Sequence, residues 1–492
     1  MKKMMGFIIS CITAYTGTAQ QLLIKEINRI NPPNVALAPL RYLASDELMG
    51  RGTLRPEINV AARFISEQLR SMGINEVKGT TDYFQNFQFK VNVPANNGAL
   101  RIDTTTYKQG IDLLQVSMEN VSLTAPVIHA GYGSKEELDK IDVRGKIVVT
   151  TLGASDSAPI RQSLGLMKTK QDLVASKGGL ALIERYRKGE IPWEAFQHHY
   201  MIERAIGESP ATLPLFIVND LTVNLLPLIK TVTSVSLKTT GNMIRSVPAR
   251  NVMGWIEGTD PRLKNEYIVL SAHYDHVGVA KQPKTEEGKL DSIYNGARDN
   301  AIGTTAIIDA ARYFSQYPTK RSLLVIAFTG EEMGLIGSKY FSEHPTVPLK
   351  QLVYNLNIDN ASYNDTSIVT VIGLGRTSGD KDIKRAASAY GLTAMPDPAP
   401  EQNLFDRSDN VSLAAKGIPA PTFSLGIKKF DENITNRYHQ LSDEVGNFNL
   451  SYAMKYIRSY ILAAKYIADN VTQPRWIKGD KYEAPWKSLY AK

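Results

Sequence analysis

A single cysteine, Cys11, stands among the 492 residues, and it lies inside a basic and then apolar opening, Met1-Lys-Lys-Met-Met5 followed by the mostly apolar Gly6 to Tyr15. With small residues at Gly17 and Ala19, this opening reads as a secretory signal peptide over 1–19, cut near Ala19/Gln20. The mature chain then has no thiol, so an exported protein must be held together by core size or bound metal rather than by disulfides. The expected destination is the periplasm or the extracellular space. Lipoprotein anchoring through Cys11 is the weaker reading, because it would leave a very short apolar segment.

Beyond the leader no apolar run approaches the roughly 18 residues that a bilayer span needs, so no stable membrane span is expected. The formal charge of +8 falls to +6 once Lys2 and Lys3 leave with the leader. That excess is spread out, with no block of basic residues, and gives no reason to expect a nucleic-acid partner. There is no His-Glu-x-x-His, no Gly-x-Ser-x-Gly elbow and no Walker-type phosphate loop, so those three chemistries have no foothold. Internal repeats and low-complexity segments are also missing, and nothing in the pattern points to an oligomeric state.

What remains is ordinary globular material, 43% hydrophobic and 22% charged, and long enough for two to three domains. Residues 35–73 are expected to be helical. Apolar positions 58, 61, 62, 65, 69 and 72 share one stripe, and Gly73 is placed to end the helix. From about 108 to 245 the texture changes: strand-like pieces such as Ala125-Pro-Val-Ile-His129 and Gly145-Lys-Ile-Val-Val-Thr150 alternate with turn residues. After Pro248, the runs 251–256, 267–271, 322–328 and 352–358 read as buried strands. Helices are expected around 301–315, 380–390 and 450–469. This alternation predicts an α/β fold with a mixed, largely parallel sheet covered by helices on both faces.

In such sheets ligands gather at the carboxyl ends of the strands. There the sequence repeatedly places acids and histidines: His273-Tyr-Asp275-His276 after the second run, Glu331-Glu332 after the third and Asp359 after the fourth. Asp299 stands in a Gly-flanked loop that opens a helix, and His439 in a later loop. Each piece has a plain alternative. In Thr329-Gly-Glu331-Glu332, Thr329 is able to cap a helix that Glu332 completes as a capping box. Taken together, His273, Asp299, Glu332, Asp359 and His439 form a nitrogen-and-carboxylate set suited to zinc. They exceed what one tetrahedral ion with an open position keeps, and they fit two ions sharing one carboxylate.

The ordered motifs His273-Tyr-Asp275, Gly296-Ala-Arg-Asp299-Asn300-Ala-Ile-Gly303, Thr329-Gly-Glu331-Glu332-Met-Gly334, Asn357-Ile-Asp359 and Tyr438-His439 resemble those of the co-catalytic dizinc aminopeptidases. That family includes secreted bacterial leucine aminopeptidases and glutamate carboxypeptidases. Leu43-Ala-Ser-Asp46-Glu-Leu-Met-Gly50-Arg51-Gly52-Thr53 is similar to a stretch of its exported bacterial members. The resemblance implies a zinc exopeptidase fold in two parts, 20–107 and 246–492, with a β-rich protease-associated domain inserted at 108–245. It also implies two zinc ions, peptide substrates and release of N-terminal residues.

Position by position, the resemblance gives His273 and Asp359 to one zinc, His439 and Glu332 to the other, and Asp299 to both, with a cis Asp299–Asn300 peptide. Asp275 is implied to fix the His273 imidazole, and Asp443 to serve His439 in the same way. Glu331 is implied as the general base acting on a metal-bridging water, and Tyr438 as a donor to the oxyanion. Asn410 replaces a common histidine and Arg298 a common acid. Three alternatives accompany this reading. A glutamate-carboxypeptidase-like variant would need arginines such as Arg51, Arg298 or Arg407 facing the metals. A glutaminyl-cyclase-like single-zinc acyltransferase fits poorly with five retained ligands, and a non-catalytic receptor-like homologue fits poorly with ligands and Glu331 all present.

Overall fold

The computed structural model describes residues 20–206, 213–286 and 288–491. The expected leader, with Cys11 and the Ala19 cleavage point, lies outside the described residues. No helix among them is long and apolar enough to cross a membrane. The chain divides into two compact units, one formed by the residues up to Phe87 with those from Pro248 on, the other spanning Gln88–Val247.

The first unit is organised by a mixed sheet. Its strands include β1 (Met243–Ile256), β2 (Tyr267–His273), β3 (Ser322–Phe328), β4 (Leu352–Ile358), β5 (Ile368–Ile372), β6 (Thr393–Pro396) and β7 (Thr422–Ser424), in the spatial order β6-β5-β7-β4-β2-β3-β1. β2 runs parallel to both β3 and β4, β4 runs parallel to β7, and β1 is antiparallel to β3. Every residue of β3 and β4 is buried, which is why these runs read as continuous apolar blocks rather than alternating ones. Helices α1 (Glu57–Ser71), α2 (Ile302–Gln316), α3 (Asp380–Ala389) and α4 (Leu450–Asp469) supply the covering layers. On α4, the Tyr460 hydroxyl donates to the Leu356 carbonyl at 2.8 Å, fixing the helix to β4.

The expected helix over 35–73 is broken. Short helices at Pro33–Ala36 and Ala38–Leu43 are followed by a 3₁₀ segment at Asp46–Arg51, and regular α-helix resumes only at Glu57. Met49, Gly50 and Arg51 all have positive φ, so the chain turns away here. Gly50 is required: a Cβ there would lie 2.2 Å from the Gly278 carbonyl oxygen.

The second unit carries its own eight-stranded sheet, with Val121–His129, Ile147–Thr151, Ala181–Tyr186 and Leu215–Asn219 as successive parallel strands at its centre. It begins at Gln88 rather than at 108. The reason is strand pairing: Asn97–Ile102 lies antiparallel to Ser234–Thr240, so residues before 108 belong to this sheet. Buried ion pairs, Arg185 with Asp220 at 2.6 Å and Lys170 with Glu184 at 3.2 Å, lie within it.

Candidate metal centre

In the parallel register, His273 lies opposite Phe328 and Ala272 opposite Ile358. The segments leaving β2, β3 and β4 therefore start at one rim, and the chemistry-bearing residues meet there. His273 Nε2 lies 3.2 Å from Asp359 Oδ1 and 3.3 Å from Asp299 Oδ1. His439 Nε2 lies 3.1 Å from Asp299 Oδ2 and 3.1 Å from Glu332 Oε2. Asp299 thus turns one oxygen to each histidine. The Asp299–Asn300 peptide is cis. Donors about 2.0–2.1 Å from one tetrahedral ion stand about 3.3 Å apart, so both groups have the spacing and the atom types of a zinc site. His276, which drew no assignment in the sequence although it ends the same His-Tyr-Asp-His quartet, joins the second group with Nδ1 2.9 Å from Glu332 Oε1.

The supporting contacts differ from the sequence expectation in three places. His273 Nδ1 faces the backbone carbonyl of Asp275 at 3.1 Å, whereas the Asp275 carboxylate is 3.8 Å away. A proton on Nδ1 leaves the Nε2 lone pair, beside the acids, free to bind a metal ion. The Asp275 carboxylate instead accepts from the backbone N–H groups of Glu331 at 3.2 Å and Glu332 at 3.3 Å, and from the Thr53 hydroxyl at 2.8 Å. Second, Thr329 caps no helix. Regular helix begins only at Ile336, and Glu331 and Glu332 sit in a turn held by Asp275. Third, Asp443 does not touch His439. It accepts from the backbone N–H groups of Arg298 and Asp299 and from Arg298 Nη1 at 2.8 Å, and so fixes the Asp299 loop. Arg298 itself is buried over the Phe448 ring at 4.8 Å.

Arg51, fully buried, donates from Nε to the Tyr274 carbonyl at 2.9 Å and from its terminal nitrogens to those of Asn295, Gly296 and Leu43. It therefore ties the β2 rim to the loop before Asp299. Burial lowers its pKa to about 10, against the pull of Asp299, Asp443, Asp275 and Glu332, and it stays charged at neutral pH. Replacing it by Met strands four carbonyls and uncompensates nearby acids, and breaking a buried pair costs about 3–5 kcal/mol. Arg51→Met is expected to unfold at correspondingly lower denaturant, which urea titration with a matched wild-type control measures.

The site electrostatics are dominated by burial. Burial pushes the Glu331 carboxyl well above its ordinary range; His273 works against this, and Asp359, Glu332 and Asp409 add to it. For Glu332, burial and Asp299 also push upward, but His439 and His276 outweigh them and bring it down to about 2. Beside the donors lies an open cleft, lined by Asp299, Glu331, Asp359, Arg407 and Tyr438 and walled by Ile372, Leu404, Ile427 and Phe430. Arg407 Nη2 donates to the Tyr438 hydroxyl at 3.3 Å. Asn410 does not line the cleft: it is fully buried and donates to the Ala420 carbonyl at 3.2 Å.

Known proteins share this arrangement of chain. The aminopeptidase from Aneurinibacillus sp. strain AM-1 superposes with a TM-score of 0.62 at 20% identity, covering 92% of this chain and 97% of that one. BSAP, a zinc aminopeptidase from Bacillus subtilis, gives 0.53 at 18% over the same shares. In sequence, Aminopeptidase YwaD of Bacillus subtilis (strain 168) is 26% identical over 185 residues, 37% of this chain and 36% of its own length. A probable leucine aminopeptidase 2 of Aspergillus oryzae is 25% identical over 220 residues, 40% of each chain. The chain thus spans well under half the length of these curated relatives. The rim segments from His273 to His439 all fall within residues 251–463, the stretch matched by the model for peptidase family M28.

Proposed function

We propose that this chain is an exported two-zinc exopeptidase that acts as an aminopeptidase, releasing N-terminal residues from peptides. The observation that carries this reading is Asp299, whose two oxygens face separate donor groups at a cleft that Glu331 and Tyr438 also line. His273, Asp299 and Asp359 would hold one ion; Asp299, Glu332 and His439 would hold the other. Bound there, zinc would polarise a peptide carbonyl and ease proton loss from water near neutral pH.

The chain's own groups do the rest. Glu331 takes a proton from the attacking water and returns it to the departing amine. A carboxyl whose proton affinity is raised by burial suits a group that must hold a proton between two steps. Asp275 holds the Glu331–Glu332 turn by its backbone and so keeps the base in reach. The Tyr438 hydroxyl, already partnered by Arg407, donates to the oxyanion, a contribution of about 3 kcal/mol for one donor. The apolar wall of Ile372, Leu404, Ile427 and Phe430 suits an apolar N-terminal side chain. Arg407 is the one cation among the described cleft-lining residues, while Arg51 and Arg298 serve the scaffold, so the cationic cluster that an acidic C-terminal residue would call for is lacking there. The unit Gln88–Val247 is read as the inserted protease-associated domain.

The test is a panel of aminoacyl chromogenic substrates, N-acetylated peptides and peptides probed from the C-terminus, each with and without chelator. Cleavage is expected for free N-termini bearing Leu, Met or Phe, to stop on chelation and to return with zinc. Release of C-terminal residues from N-blocked peptides would overturn the aminopeptidase assignment.

A further inference from the structure

The geometry points to His276 as a further protein ligand of the second metal site, giving that site four protein donors against three at the site of His273. The inference rests on the two-ion reading above. The donor atoms of His276, Asp299, Glu332 and His439 all lie within 4.8 Å of one another. His276 Nδ1 is 2.9 Å from Glu332 Oε1 and 3.9 Å from Asp299 Oδ2, values that bracket the separation of about 3.3 Å expected between donors on one tetrahedral zinc. The His276 and His439 rings approach with centroids 5.5 Å apart at 71°, so two imidazoles from different loops converge on the same pair of acids.

The position of the ring is built rather than incidental. His276 is 1% exposed, and its backbone N–H donates to the Arg51 carbonyl at 3.2 Å. On the other side stands Gly296 at φ 57°, where a Cβ would come within 2.5 Å of His276 Cδ2, so only glycine leaves room for this ring. The far nitrogen, Nε2, is buried without a hydrogen-bond partner among the described residues. Nothing competes with the carboxylates for the ring, and Nδ1 has only prospective metal ligands as partners. An Nδ1–H donor that merely orients Glu332 is the rival role. Glutamine separates the two, since its amide can donate to Glu332 but does not replace an imidazole on zinc.

Unequal donor counts make the two sites unequal in affinity. Apo full-length protein titrated with zinc against a chromophoric chelator is expected to fill in two phases, the tighter one at the four-donor site. His276→Gln and His276→Ala should both weaken that phase more than about 100-fold, beyond the 10–100-fold that losing an outer hydrogen bond costs, and leave the other phase unchanged. X-ray absorption on the two-zinc protein should count three imidazoles per two ions in the wild type and two in either variant, with circular dichroism confirming the fold. If the wild type takes up two ions but shows two imidazoles, and His276→Gln keeps both phases, His276 is not a ligand and only this inference falls. If the wild type fails to take up two ions, the two-ion reading itself falls.

Discussion

Glu331→Gln is expected to keep its full complement of zinc and lose turnover by about two to four orders of magnitude, the range that a positioned general acid–base contributes. The two halves of this expectation come from different atoms. Glu331 is held by its backbone N–H, which donates to Asp275 Oδ1, and its side chain belongs to neither donor group. The isosteric amide therefore leaves the turn and the neighbouring Glu332 in place. What the amide lacks is a site for a proton taken from water and later handed to the leaving amine. Steady-state kinetics on a Leu-anilide substrate, with metal analysis on the same sample, measures both halves. Turnover within a few-fold of wild type would remove Glu331 from the proton path, whereas lost turnover together with lost zinc would make it a structural support instead.

The strand framework was legible because burial on both faces writes itself as uninterrupted apolar runs, as at Ser322–Phe328 and Leu352–Ile358. Their carboxyl ends could then be read as one rim, since parallel strands necessarily finish on the same side. Less legible was whatever depends on one side chain reaching a distant backbone group. Asp275 looked like a partner for the neighbouring His273, yet its carboxylate holds a turn 56 residues further along the chain. Asp443 stands four residues from His439 but reaches back to Arg298 and Asp299. The 35–73 segment misled for a different reason. Its apolar stripe is real over Glu57–Ser71, but an amphipathic period carries no signal for the positive φ of Met49, Gly50 and Arg51, where the chain turns away before it. His276 had a visible signal, its place in the rim quartet, but a sequence motif with five matched ligands leaves no stated vacancy for a sixth.

Asp299→Ala is expected to have the larger effect of the two catalytic-site changes: zinc content falling from two per chain to at most one, and activity falling below detection. Asp359 and Glu332 each face a single group of donors, but Asp299 presents Oδ1 to His273 and Oδ2 to His439, so one substitution subtracts a donor from both sites. The site of His273 is left with that histidine and Asp359, fewer than the three protein ligands a catalytic zinc keeps. The other site retains Glu332 and His439, with His276 as a third if the imidazole at 276 binds metal. The residual ion, where one remains, therefore belongs to the second group, and its presence would be lost on combining Asp299→Ala with His276→Ala. Backbone support should survive the change, because Asp443 grips the loop through the N–H groups of Arg298 and Asp299 rather than through the Asp299 side chain. Metal analysis after exhaustive dialysis, with circular dichroism as the control for folding, decides the matter: two zinc ions and near-normal turnover in Asp299→Ala would show that the carboxylate is not shared.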